Sequence, residues 1–196
     1  KSTDLFAGFS ASSDRGFTVN AGGGTIAVSN AATVLTFSGY VTGAGRLVKE
    51  GNGWLYLNNH NTFAGLTVNS GTFYTTVGNW YENPAHGNGT LIVNSNGTAI
   101  FTAAHGFGAS FDGRAMEING GLYRQDAENY VSGITMTGGW LTGGGEIRLK
   151  AHPTINASTS GSVISAPINA GFWGSYTFTV ADGAATNDLL VSNSVY

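Results

Sequence analysis

Residues 43–73 read GAGRLVKEGNGWLYLNNHNTFAGLTVNSGTF. The apolar runs Leu47-Val48, 54–57 and 66–68 are each closed by Gly or Asn, and none has the length or the spacing of a helix. Three short strands joined by turns is the reading they allow. Gly and Asn in those turns accept positive φ, which lets the backbone bend sharply without a Cβ clash.

The whole chain follows the same grammar. It carries 31 Gly against 3 Pro, and each Gly inside a helix would cost roughly 1 kcal/mol relative to Ala, so long helices are disfavoured. Hydrophobic residues still make up 41% and aromatics 12%, enough for a packed core and unlike a disordered chain. With a net charge of -3 and scattered basic residues, the chain lacks the electrostatic footprint of a nucleic-acid or anionic-membrane binder. There is no cysteine, which excludes disulfides and thiolate metal sites, and no apolar run long enough to form a transmembrane segment.

Residues 1–15 are polar and predict a loosely ordered N-terminal segment; strand signals then run in series through 16–196. Many open with Gly, then Thr or Gly, then a large apolar residue, as in Gly24-Thr25-Ile26, Gly71-Thr72-Phe73 and Gly138-Gly139-Trp140. Ile26, Leu47, Thr67, Leu91, Met116 and Ile134, taken as stacked positions, are separated by 21, 20, 24, 25 and 18 residues. Such steps suit the coils of a β-solenoid, in which each unit buries its apolar face by stacking on its neighbours. Two echoes, LTFSGYVT at 35–42 with LLVSNSVY at 189–196 and GFTVNAG near Gly16 with TFTVADG near Thr177, suggest a segment of a longer repeat array.

The central stretch resembles the autotransporter-associated β-strand repeat, also called the passenger-associated transport repeat, of large bacterial surface proteins. The residues that carry the resemblance are Gly43, Gly45, Leu47, Lys49, Gly51, Gly53, Leu55, Leu57, Asn61, Thr62, Phe63, Gly65, Thr67, Val68, Gly71 and Phe73. The resemblance implies a right-handed, single-stranded parallel β-helix at the bacterial surface, with a role in secretion or passenger structure and no catalytic residues to carry over. Two departures stand out. The family favours small polar residues where this chain has Trp54 and Tyr56, and the segment after Gly65 is one residue shorter than the pattern. If Leu55 and Leu57 point inward, alternation puts Trp54 and Tyr56 outside.

Catalytic chemistry finds little support in the spacing. Asp126 and Glu128 stand two apart, the separation that puts two carboxylates on one strand face, and Asp112 and Glu117 flank Arg114. These read as solvated or turn-capping groups. His60, His86, His105 and His152 are far apart and fit no metal motif. Gly43-Ala44-Gly45 and Gly143-Gly144-Gly145 lack the helix and Lys of a phosphate loop, so no cofactor is expected. For ligand binding, the loop 77–89 offers Trp80 and Tyr81 beside Glu82 and His86, a set suited to stacking on a sugar ring, with Trp54 and Tyr56 as further candidates. A second insertion, 103–114, with His105, Phe107, Phe111 and Arg114, would stand beside it on an adjacent coil.

The sequence therefore predicts an all-β parallel solenoid. It would serve as a non-catalytic scaffold or passenger segment of an extracellular or cell-surface bacterial protein, with end-to-end stacking of coils into a fibre as an extension. The alternative is an adhesin-like β-helix that binds or acts on carbohydrate.

Overall fold

The computed structural model describes residues 3–78, 86–107, 113–171 and 174–196, and among these there is no helix. The strands are β1 (Thr3–Ala7), β2 (Ala11–Ser13), β3 (Phe17–Thr18), β4 (Gly24–Val28), β5 (Val34–Phe37), β6 (Val41–Thr42), β7 (Leu47–Glu50), β8 (Trp54–Leu57), β9 (Leu66–Thr75) and β10 (Leu91–Phe101). They continue with β11 (Arg114–Asn119), β12 (Leu122–Gln125), β13 (Asn129–Met136), β14 (Gly139–Thr142), β15 (Ile147–Leu149), β16 (Thr154–Ile155), β17 (Ser162–Ile164), β18 (Ile168–Asn169), β19 (Thr179–Val180) and β20 (Leu189–Val191). These strands pair in parallel, each with its counterpart one coil away, so the chain is a parallel β-solenoid.

Register defines the sides. On the first, Leu5, Ile26, Lys49, Val68, Val93, Ile118, Met136, Ile155 and Val180 stand one above another. On the second, Ala11, Leu35, Leu55, Phe73, Ala99, Tyr123, Leu141, Ile164 and Val191 form the matching column. A third side is built from β3 and β6 and, further along, from the start of β13 with β15 and β18. Away from the two ends these columns are buried and form one continuous core. Leu55 and Leu57 lie inside it, and period-two alternation leaves Trp54 and Tyr56 facing out.

The repeat residues are explained by what they do at the corners. Lys49 occupies an inward position and is fully buried, yet its ammonium donates to the carbonyls of Glu50 (2.9 Å), Gly51 (2.7 Å) and Ser70 (3.0 Å). All three protons are used, and the turn from the first side to the second is tied to the next coil. Asn61, also buried, accepts from the backbone N–H of Val41 and donates to the carbonyl of Asn59. Asn129 repeats this device, accepting from the N–H of Phe107 and donating to the carbonyl of Ala127. Gly43 and Gly143 have φ of 117° and 112°, and a Cβ there would meet the Val19 and Gln125 carbonyl oxygens at 2.1 and 1.8 Å. Only glycine fits such a crossing of adjacent coils.

A polar ladder runs up the outside of the first corner. Asn119 donates to Asn94 (3.2 Å), Asn94 to Asn69 (2.6 Å), and Asn69 to the Glu50 carboxylate (2.6 Å). Each amide passes its donor towards the charged end, an arrangement in which the bonds polarise one another. Asn94→Ala removes two of these bonds and is expected to lower stability by about 1–2 kcal/mol. Asn156, which donates to Thr137 Oγ1, holds a single such bond, so Asn156→Ala should cost less; urea titrations of the two variants check the order.

Three local expectations meet a different structure. Residues 1–15, read as a loose end, contain β1 and β2, paired in parallel with β4 and β5; strands this short need little apolar signal of their own when the next coil supplies their hydrogen-bond ladder. Asn96-Gly97 has the composition of a turn yet lies within β10, because the ladder to Ser70 and Gly71 continues around the corner. The echo between GFTVNAG and TFTVADG is not structural equivalence: Phe17 and Thr18 form β3 on the third side, whereas Thr179 and Val180 form β19 on the first.

Candidate functional site

Strand alternation and register build one aromatic cluster on the outer face of the second side. Trp54 and Tyr56 come from β8, and Tyr74 of β9 lies directly above Tyr56. The Tyr56 and Tyr74 rings are 4.6 Å apart between centroids and tilted by 33°. Trp54 meets them edge-on, at 6.1 Å from Tyr56 and 6.4 Å from Tyr74. All three are half-buried, so each keeps part of its ring towards solvent while the others hold it in place. Tyr74 does not stand out in the sequence; it joins the site only through the register of β9 on β8.

The other predicted ligand contacts fall elsewhere. Trp80, Tyr81 and Glu82 lie outside the described residues. His86, expected beside them at a sugar, is fully buried, stacked on Phe107 at 4.5 Å and edge-on to Phe101 at 5.7 Å. Among the described residues, neither ring nitrogen has a hydrogen-bond partner. Burial, with the nearby charges of Arg114 and then Arg46, pushes its pKa down to about 3, so the ring is neutral. The insertions 77–89 and 103–114 do meet, as expected, but through this buried His86–Phe107 stack.

Asp126 and Glu128 are both engaged in ion pairs. Asp126 binds Arg124 at 2.8 Å, and Glu128 binds Arg148 at 2.6 Å, so the i, i+2 pair serves two different arginines. Arg148 also binds Glu146, donates to the Tyr130 hydroxyl at 2.6 Å and lies over the Tyr130 ring at 5.3 Å. Tyr196 donates to Glu146, and His105 stacks on Tyr130 at 5.6 Å with Glu128 at 3.6 Å. Burial alone would raise the Glu146 pKa, but hydrogen bonds from Tyr196 and Arg148 outweigh it and hold the carboxyl below its ordinary value. Such a carboxylate stays ionised and is poorly suited to act as a general acid. The network clamps the third side, and the sequence reading missed it because its members come from separate coils. Among the described residues, no three His, Asp or Glu side chains converge for a metal.

No family model and no solved structure matches the chain. The chain is similar to the adhesin BmaC autotransporter of Brucella suis biovar 1 (strain 1330), 33% identical over 154 residues. The aligned part is 71% of this chain but only 4% of that protein.

Proposed function

We propose that this chain is a stretch of an autotransporter passenger: a rigid, non-catalytic, adhesin-like solenoid displayed at the bacterial cell surface. The observation that carries the reading is the coincidence of two independent facts. The repeat residues Lys49, Asn61 and Gly43 each do a corner-building job in a parallel stack, and similarity to an autotransporter adhesin extends across most of the chain. No helix among the described residues is long and apolar enough to cross a membrane. Both carboxylates of the candidate catalytic pair are spent on arginines, which supports a scaffold over an enzyme.

The test is accessibility on intact cells that express the full reading frame around this chain. Antibody raised against the 196-residue chain should label unbroken cells, and added protease should remove the signal. Labelling that requires lysis would contradict the proposal.

End-to-end stacking is the extension of this role. At one end Val180, Val191 and Val195 are 45%, 36% and 47% exposed although they continue inward columns, and at the other Leu5 is 44% exposed. A solenoid end of this kind accepts either the next coil of a longer chain or a second molecule. Sedimentation that shows concentration-dependent chains, abolished by Val191→Lys, would support self-stacking; a monomer at all concentrations would exclude it.

A further inference from the structure

The outer face of the second side carries the Trp54–Tyr56–Tyr74 cluster. Along it, alternation places Val34, Trp54, Thr72, Thr98, Leu122 and Trp140 in one outward column, with Thr36, Tyr56, Tyr74, Ile100, Arg124 and Thr142 beside it. Arg124 is the only charged residue among these, and Asp126 already neutralises it. The face therefore carries no net charge over several coils. It combines aromatic rings at Trp54, Tyr56 and Tyr74 with the hydroxyls of Thr36, Thr72 and Thr98, none of which is drawn into a side-chain hydrogen bond within the described chain.

We infer that this strip is a binding site for an extended, uncharged glycan chain, with Trp54, Tyr56 and Tyr74 as its stacking platform. The inference deepens the surface role proposed above and rests on it for its biological setting. Three physical matches carry it. A face without net charge suits an uncharged polymer and has no unpaired cation to draw in a polyanion. Partly exposed aromatic rings, fixed by one another, present apolar faces at little cost in side-chain entropy, while hydroxyls alongside them can exchange hydrogen bonds with a polyol. Finally, the coils repeat every ~4.8 Å along the strip, close to the length of one sugar in an extended chain, so that successive rings can meet successive coils.

The experiment is native electrophoresis of the chain through gels that contain hydroxyethyl cellulose, dextran or alginate, with Trp54→Thr/Tyr74→Thr run alongside. Threonine suits the strand, and melting curves will establish that the variant folds. Retardation by at least one neutral polymer, weakened at least tenfold in the double variant and absent with alginate, is the expected result. No retardation by either neutral polymer, equal retardation by alginate, or a folded double variant that binds as before would overturn the assignment. So would loss of a concentration-dependent dimer in the double variant, which would make the strip a contact between copies. Binding by the isolated chain is independent of where cells display it, so failure here and failure of the surface-labelling test remain distinguishable.

Discussion

Replacing Lys49 by methionine is expected to destabilise the chain by about 3 kcal/mol, because the carbonyls of Glu50, Gly51 and Ser70 lose their common donor. For a chain of this size that corresponds to a fall of roughly 10 °C in melting temperature. Two effects compete. Burial of the ammonium is unfavourable and pushes its pKa down to about 8 from an ordinary 10.5, with Glu50 partly opposing. Three satisfied protons at the corner outweigh it. The sign with pH follows from the same shift: the unfolded chain holds more protons than the folded one between pH 8 and 10.5, so Lys49's own contribution becomes more favourable as pH rises through that window. Lys49→Met should lose that increment. If the methionine variant melted at or above the parent's temperature, the repeat lysine would have no structural role here.

Acid should unfold the chain early, and His86 should be a main reason. The buried ring titrates at about 3 in the folded state against an ordinary 6.5, so stability present above pH 6.5 is lost progressively as the pH falls towards 3. At about 1.4 kcal/mol per unit, the full loss is on the order of 4–5 kcal/mol. Protonation would place a charge between Phe101 and Phe107, facing Arg114 and Arg46. His86→Leu removes the titration and two buried nitrogens that find no partner among the described residues, so it should leave stability at pH 7 unchanged or raised. Urea titrations of parent and variant at pH 7 and pH 4.5 measure this; curves that stay parallel between the two pH values would show that His86 does not control the acid limit.

These two residues also mark where the sequence could and could not be read. Solenoid stacking was legible because apolar positions recur at about one coil's spacing, and the inward Leu55 and Leu57 followed from alternation alone. Lys49 was legible as a motif residue, but its purpose depends on carbonyls that only the folded corner assembles. His86 was misplaced because it sits in the sequence among small and turn-forming residues, whereas its neighbours in space, Phe101 and Phe107, come from another coil. Tyr74 was invisible as a partner of Tyr56 for the same reason. The asparagine ladder did leave a signal: Asn69, Asn94 and Asn119 stand at an even spacing of 25 residues, and a search for one residue type at the coil period would have found it.

The central claim, that coil lies on coil in parallel register, is tested most directly by distances between paired spin labels. The chain has no cysteine, so labels can be placed at will. With one label at Ser12 and the second moved through Tyr56, Ile100 and Thr142, the stacking puts them two, four and six coils apart. The backbone separations should then grow evenly, to about 10, 19 and 29 Å at ~4.8 Å per coil. Separations that rise and fall along this series would mean strands folding back on one another, and the solenoid would be wrong.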